Sequence, residues 1–534
     1  MKKHNAVKVV LLTLVVLLVL SWILPAAYYS SQYVSQGRVQ MGLFDLFNYP
    51  ITSLSYFGYI ALFFVLVGGF YGILYKIPAY RTFLDRIVAM FDGKEKVFVS
   101  IVMVLIAVLV SVCGIHYEIF LFFPLIVALI LLMGYDKIVA AITMVGSISV
   151  GLAGSTYAYN NLNVLLSTLG LKIDYEIGIR TIILLVGLVL LIFNTIMYIN
   201  KFGKKPAKVE VKKEPVKVEV VKEKVEVKTT KKSGGTTTKK KTTTTTKKTT
   251  GTKKTTKSKS NKRNVKAAVT DEDVIVVKDN NYLIPSVRGK NHNIWPIVLL
   301  FVLMFITFVL AFIPWNENSL NVSLFTDITK NVTEFKIFKF AIFGKILGNT
   351  NAFGAWNSAD LYLVMAVVVL LLSIIYKVKF DDVLDGFAAG AKKALAPAVI
   401  VLLVYTILVT VTYHPFQLVI YKAILGLTKG FNVATTALVA IIASVLNADP
   451  SYTFQSVLPY LISVKTNTEV YGLIGIMFQS LYGLTMLVAP TSIVLLAVLS
   501  ALDIQYKDWL GKIWKFFVEF LVVLLIIFII LAVI

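Results

Sequence analysis

The sequence predicts an all-α integral membrane protein with about 11–13 membrane segments in two inverted repeats, interrupted by re-entrant hairpins and broken helices. Three observations carry that prediction. Hydrophobic residues make up 57% of the 534 and charged residues only 15%, against about 25% charged in an ordinary soluble domain, and mean hydropathy is +0.79. Apolar stretches recur along the chain at lengths near the ~20 residues that cross ~30 Å of hydrocarbon. Residues 57–199 also fall on residues 392–534 without a gap when shifted by 335. The composition excludes a cytosolic enzyme and a secreted domain.

The elements follow in order. Apolar segments 8–27, 57–75, 97–113, 117–133, 138–153 and 178–199 form a first membrane half, residues 1–200. Lys2 and Lys3 before the first segment, and Pro25-Ala26-Ala27 at its end, would suit a cleaved leader; the many apolar segments that follow favour an uncleaved span. The apolar pattern stops between 201 and 290, which hold 27 Lys+Arg and 9 Asp+Glu, so +18 of the net +24 sits here and +6 on the rest. Valine alternates with Lys and Glu over 209–228, and 236–256 is almost purely Thr and Lys. Such a tract buries too little apolar area to offset its ordering entropy and reads as a disordered linker. Lys and Thr carry little sequence information, so no nucleic-acid partner is expected; anionic lipid headgroups are the expected surface, if the linker is more than a tether. Residues 291–534 form the second half, with segments 296–313, 358–376, 395–411, 430–446, 471–488 and 513–533 and a weaker one at 450–465.

Positive charge favours the cytoplasmic side. The N-terminus (Lys2, Lys3, Lys8), loop 76–96, the linker, and loop 377–394 (Lys377, Lys379, Lys392, Lys393) all place themselves there. The expected location is the cell membrane, multi-pass, with the N-terminus and linker cytoplasmic.

Within the repeat, Pro124 meets Pro459, Tyr117 meets Tyr452 and Thr156 meets Thr491, and the Pro-to-Thr spacing is 32 residues in both halves. Seven spans, an odd number, separate the starts of the two repeats on the full count, so they run in opposite directions. Inverted repeats around a midplane site mark secondary transporters. Gly68 and Gly72 form a small-xxx-small pair, expected to pack helices closely.

Polar breaks inside apolar segments are informative, because unpaired backbone groups in hydrocarbon cost several kcal/mol each. The first half has Gly114, His116 and Glu118 at one break, then Gly154, Ser155 and Thr156 with Asn160 and Asn161 at another. The second half has Asn447, Asp449, Ser451 and Thr453, then Pro490, Thr491 and Ser492. Freed carbonyls with Ser, Thr and Asn oxygens can replace a sodium ion's hydration shell, and helix N-termini at a break can receive a carboxylate. A sodium site at Ser155, Thr156, Thr491 and Ser492 is therefore expected, with Glu118 and Asp449 as the ionisable groups for ion or proton coupling. Helix capping for the hydroxyls and a short exposed loop for the two carboxyls are the bland alternatives. No cofactor is expected beyond Na+ or H+. No GxxxxGK[ST] loop, GxSxG elbow or HExxH motif occurs, the histidines (His4, His116, His292, His414) share no ligand spacing, and Cys113 stands alone. ATP-driven transport, hydrolysis and a His- or Cys-based metal site are not expected, and the protein is not expected to be an enzyme.

At these residues the chain resembles the YfcC-type family, the anaerobic dicarboxylate-carrier-like branch of the ion transporter superfamily. Ser21-Trp22-Ile23-Leu24-Pro25-Ala26 is similar to that family's first-helix end, T-W-I-x-P-A. Residues 114–124 resemble its G-M-A-E-E-T-I-P-F-Y-P hairpin, with Glu118 on the second Glu and Pro124 on the last Pro. Gly134-Tyr135-Asp136, then residues 151–156, are similar to its G-Y-D and G-F-A-G-S-T stretches. Ala489-Pro490-Thr491-Ser492, followed by Tyr506 and Trp509, resembles its P-T-S and V-P-Y-x-x-W signature. The family's first hairpin Glu is Tyr117 here, and its S-G-S-G-Q-A appears as Ser451-Tyr452-Thr453-Phe454-Gln455-Ser456 without either glycine.

The resemblance implies secondary transport of small carboxylates or amino acids, including arginine–ornithine-exchanger-like members. No Arg or Lys lies within the four breaks, and a dianion would want a fixed cation, so the sequence leans toward an amino acid. The expected function is cation-coupled uptake of a small amino acid or carboxylate, with an exchanger or a non-transporting scaffold using the basic linker as alternatives. A homodimer is one assembly this reading allows.

Overall fold

The computed structural model describes residues 5–202, 283–285, 293–315, 319–348, 350–447, 449–464 and 467–533. Apart from 201–202 and 283–285, the expected linker lies outside the described residues. The described residues of both membrane halves fall within one compact unit.

The first half runs α1 (Asn5–Ile23), β1 (Ala26–Ser30), β2 (Gln32–Gly37), α2 (Asp45–Leu74), α3 (Pro78–Met90), α4 (Glu95–Cys113), a 3-10 turn (Glu118–Leu121), α5 (Phe123–Leu132), α6 (Lys137–Ala141), a π turn (Ile142–Gly146), α7 (Ser147–Ala153), α8 (Tyr159–Leu169) and α9 (Ile177–Phe202). The second runs α10 (Trp295–Phe312), α11 (Leu324–Glu334), α12 (Ile342–Leu347), α13 (Asp360–Ile375), α14 (Phe380–Tyr413), α15 (Gln417–Leu425), α16 (Val433–Leu446), α17 (Pro450–Val464), α18 (Tyr471–Thr485), α19 (Ile493–Leu502) and α20 (Tyr506–Val533). Helices α1, α2, α4, α9, α10, α14 and α20 are long and apolar enough to cross a membrane. Large apolar side chains such as Leu12, Val189, Leu299 and Ile529 remain exposed along them, as lipid-facing surfaces require. The chain is a multi-pass, all-α membrane protein whose strands make one small antiparallel hairpin, β1–β2.

Three sequence expectations change. Segment 117–133 is not a single span: α5 has 10 residues, about 15 Å of helix, half of what a crossing needs. It follows the turn at Gly114 and packs against α3 and α6. Segments 430–446 and 450–465 likewise become the arms α16 and α17, 14 and 15 residues long. Residues 380–394 are not a loop, because α14 continues through them for 34 residues in all. Ala, Lys and Leu there are strong helix formers, and the two glycines are tolerated because another helix packs on them.

That helix is α2. A Cβ added at Gly72 would meet the Gly386 carbonyl at 2.1 Å, and one at Gly390 would meet the Gly68 carbonyl at 2.1 Å. Gly68 and Gly72 therefore do close-packing work against Gly386 and Gly390, at matching four-residue spacing. Phe57 stacks on Tyr405 at 4.1 Å and Ser53 bonds the Leu402 carbonyl at 2.8 Å, so the pair runs antiparallel over most of its length.

Two other pairs related by the 335-residue shift also cross antiparallel. In α7 and α18, Gly483 lies on Ser149 and Ala153 while Gln479 bonds Ser155. In α9 and α20, Asn194 bonds Glu519 and Lys512 lies over the ring of Phe202. Loop ends gather on two faces. One joins Lys96 to Asn200, Tyr198 to Asp136, Tyr376 to Asn293, and residues 283–285 to Tyr75 and Arg81. The other joins Ala27 to Pro415, Tyr33 to Lys422, and Glu176 to Gly472.

Candidate functional site

Each half supplies one hairpin tip and one helix break. In the first half α4 stops because Gly114 adopts φ +70°, a left-handed conformation that side chains disfavour. A Cβ there would stand 3.2 Å from Ala158, so the tip rests on the loop that follows α7. In the turn beyond, Glu118 accepts a hydrogen bond from the His116 backbone N–H at 3.1 Å. His116 and Glu118 are 9% and 8% exposed. Neither ring nitrogen of His116 has a hydrogen-bond partner. The ring faces a cavity of about 10 Å³ shared with Ser149, Tyr482, Ser492 and Ile493, room for about one water.

At the second tip Asp449 caps α17, accepting from the N–H groups of Ser451 at 2.9 Å and Tyr452 at 3.3 Å. The Thr453 hydroxyl donates to the Asp449 carbonyl at 2.8 Å. Ser451 also reaches Asn163 of α8 at 3.5 Å. Asn447 turns into the packing, donating to Gln417 at 3.1 Å and to the Ala443 carbonyl at 2.9 Å. Glu118 and Asp449, from opposite halves, stand close enough to feel one another's charge. Tyr59 and Tyr405 lie within range of both. Among the described residues no Lys or Arg forms a salt bridge with either carboxyl.

The break after α7 is held on every side. Ser111 of α4 donates to the Gly154 carbonyl at 2.7 Å and meets the Thr156 hydroxyl at 3.1 Å. Thr156 returns its N–H to the Ser111 carbonyl at 2.8 Å. Ser155 turns its hydroxyl back to the Leu152 carbonyl at 3.0 Å. Gly154 is required by packing, since a Cβ would fall 2.6 Å from the Leu184 Cα. Asn160 is exposed, whereas Asn161 is buried with its amide nitrogen unpartnered. At the second break the Thr491 hydroxyl donates to the Val445 carbonyl at 2.8 Å, as Thr156 binds Ser111 in the first. Ser492 caps α19 by accepting from the Leu495 N–H at 3.3 Å, and Pro490 is half-buried. Trp509 donates to the Leu487 carbonyl at 2.8 Å and Tyr506 to that of Val488. The aromatic pair of the C-terminal signature thus caps this break.

The four hydroxyl residues expected to share one sodium ion bond to different neighbours. Ser155 turns back onto α7 and Thr156 is tied to α4, whereas Thr491 bonds the end of α16 and Ser492 the start of α19. Ser155 stands beside Gln479, within α18, whereas Thr491 follows that helix's end.

The sequence reading also missed a cation. Arg180, in the first turn of α9, is 0% exposed and sends its guanidinium to the carbonyls of Ser155 and Thr156. Gln479 bonds the Ser155 carbonyl at 2.8 Å and accepts from the Tyr175 hydroxyl at 2.9 Å; Ser480 bonds the Ala153 carbonyl at 2.9 Å. Arg180 is the sole charged residue of segment 178–199, and an ionisable residue inside a membrane segment is a functional signal by default. Gln479 and Ser480 carry no such signal, because only packing decides which neighbour a polar helical residue meets.

Comparison with known proteins bears on these residues. Residues 4–242 match the profile of a family described as C4-dicarboxylate anaerobic carriers, DcuC. An uncharacterized protein of Haemophilus influenzae is 27% identical over 148 residues, which are 28% of this chain and 29% of that protein. That match thus spans less than a third of the relative's length.

Proposed function

We propose that this chain, whose residues 4–242 match the profile of the C4-dicarboxylate anaerobic carrier family, is a secondary active transporter for a small carboxylate that also bears an amino group. The family match supports a membrane carrier of carboxylates. The observation that carries the finer reading is that Glu118 and Asp449, at the two tips, lie within electrostatic range of one another with no Lys or Arg in a salt bridge to either among the described residues. That pole suits an amine or a coupling cation. The opposite pole is His116, whose ring nitrogens are unpartnered, beside Ser492 and the first turn of α19, where a carboxylate gains from the helix dipole.

The antiparallel crossings of α2 with α14, α7 with α18 and α9 with α20 support reading the halves as inverted repeats, the architecture of alternating access. Lys94, Lys96 and Lys512 on the face that also holds residues 283–285 support a cytoplasmic N-terminus and linker. The cavity beside His116 holds about one water, so a solute enters only when a tip or a break moves. Uptake draws on Na+ at the second break or on H+ at Glu118 and Asp449; obligatory exchange is the alternative.

A C4-dicarboxylate is the second reading, favoured by the family description. It requires a proton or a cation between Glu118 and Asp449, since like charges at close range resist joint ionisation. Proteoliposomes decide. Uptake of an amino acid without internal substrate, driven by a sodium or proton gradient, is expected. Uptake only after internal loading makes the protein an exchanger, preference for an amine-free dicarboxylate selects the second reading, and no uptake of either class removes the transporter reading.

A further inference from the structure

We propose that Arg180 is a resident cation filling the first break, so that a mobile coupling cation binds at the second break alone. The consequence for coupling rests on reading the two breaks as the transport site; the occupancy itself does not.

Arg180 makes four hydrogen bonds, all to backbone carbonyls: Ser155 at 2.7 Å, Ile173 at 2.6 Å, Tyr175 at 2.9 Å, and Thr156. Four of the five guanidinium N–H groups are thereby used. The guanidinium also lies 4.3 Å over the Tyr175 ring, an added cation–π contact. No carboxylate stands within salt-bridge distance among the described residues; exposed Asp174 lies only in electrostatic range. A buried charge without a countercharge survives only where dipoles surround it. Four carbonyl oxygens converging on one positive group are the ligand set of an oxygen-lined cation site, here occupied by the chain itself.

The repeat makes the contrast legible. Both breaks have a threonine tied to the end of a hairpin helix, Thr156 to Ser111 and Thr491 to Val445. In both, the start of the following long helix caps carbonyls at the break. In the second half those caps are the neutral Trp509 and Tyr506. The shift of 335 places Lys515 opposite Arg180, but that side chain is 59% exposed and pairs with Glu519 at 3.5 Å. The backbone plan is shared and the charge is not. A second cation on carbonyls already bound to Arg180 would meet poorly screened repulsion, whereas among the described residues no Lys or Arg bonds to the carbonyls of the second break, whose Thr491 is tied to the end of α16, just before the tip bearing Asp449.

The test uses the full chain in lipid nanodiscs, with radioactive sodium binding and thermal unfolding as readouts. In the wild type, bound sodium is expected to survive Thr156→Val and to be lost in Thr491→Val; the reverse pattern overturns the proposal. Arg180→Ala is expected to melt several degrees lower than wild type. Millimolar guanidinium should restore it saturably, while urea, planar and neutral, should not, and one additional sodium should bind per chain. A folded Arg180→Ala protein that ignores guanidinium, or responds equally to urea, overturns the proposal. If Arg180→Ala does not fold, Arg180→Lys replaces it: charge without the fork keeps sodium out of the first break, and an additional bound sodium there overturns the idea. If the wild type binds no sodium, the guanidinium and urea comparison decides. Loss of the transport reading would appear as absent uptake and would leave these binding readouts unchanged, so the two failures are distinguishable.

Discussion

At the scale of single residues, the site is a set of charges and carbonyls whose partners decide their roles. Glu118 and Asp449 sit in electrostatic range of one another and accept hydrogen bonds from the backbone N–H groups of His116, Ser451 and Tyr452. Neutralising either removes an uncompensated charge, which a fold tolerates better than breaking a pair. Glu118→Gln and Asp449→Asn are therefore expected to leave the melting temperature unchanged or raised while cutting uptake about tenfold or more, a loss of about 1.4 kcal/mol per factor of ten. Uptake assays beside thermal unfolding check this; a parallel loss of both would make the carboxyls structural. His116, Glu118 and Asp449 were legible in the sequence because polar groups interrupt apolar runs there. Tyr405 and Gln479 were not, since each lies within a helix and only the neighbour packed on its face gives it meaning.

At the scale of elements, length and close approach separate spans from hairpin arms. The α2–α14 crossing depends on Gly68, Gly72, Gly386 and Gly390 meeting backbone to backbone. Gly72→Leu would force the helices apart at an overpacking cost of roughly 1–3 kcal/mol, and a clear fall in melting temperature is expected; an unchanged value would mean that the crossing is not rigid. Residues 283–285 dock on the same element, where Tyr75 donates to the Leu283 carbonyl at 2.9 Å and Arg81 to that of Pro285 at 3.1 Å. Leu283 shares a crevice with Phe120, Phe123, Pro124 and Lys393, at the base of the first hairpin. With Arg81 and Lys393 nearby, Leu283→Lys should lower the melting temperature more than Leu283→Asp; equal effects would show that only the lost apolar contact matters. The hairpin arms were partly legible as short apolar runs broken by polar residues. The continuation of α14 through 380–394 was not, because charge suggested a loop while the contact with α2 selected a helix.

At the scale of the whole molecule, the two faces of loop ends imply a topology. With Cys113 buried and replaced by Ala, a cysteine at Gln32 or Lys172 should react with an impermeant maleimide from outside intact cells. One at Asp92 or Lys507 should react only after permeabilisation. Labelling of Gln32 and Lys507 from the same side would refute the arrangement, since an odd number of crossings must separate them.

The amino-acid sequence by itself determined the solvent of this protein, its two-half plan and its polar interruptions, because hydropathy, repeat spacing and residue type are local properties of the chain. It set Thr156 and Thr491 at the same 32-residue spacing from Pro124 and Pro459. Only the tertiary structure decided that these equivalents stand in unlike electrostatic surroundings. Arg180 lies 24 residues from Thr156 and Trp509 lies 22 from Leu487, and whether a side chain caps a freed carbonyl depends on where the next helix docks. The same holds for Glu118 and Asp449, which are brought together by the packing of two halves rather than by any spacing along one.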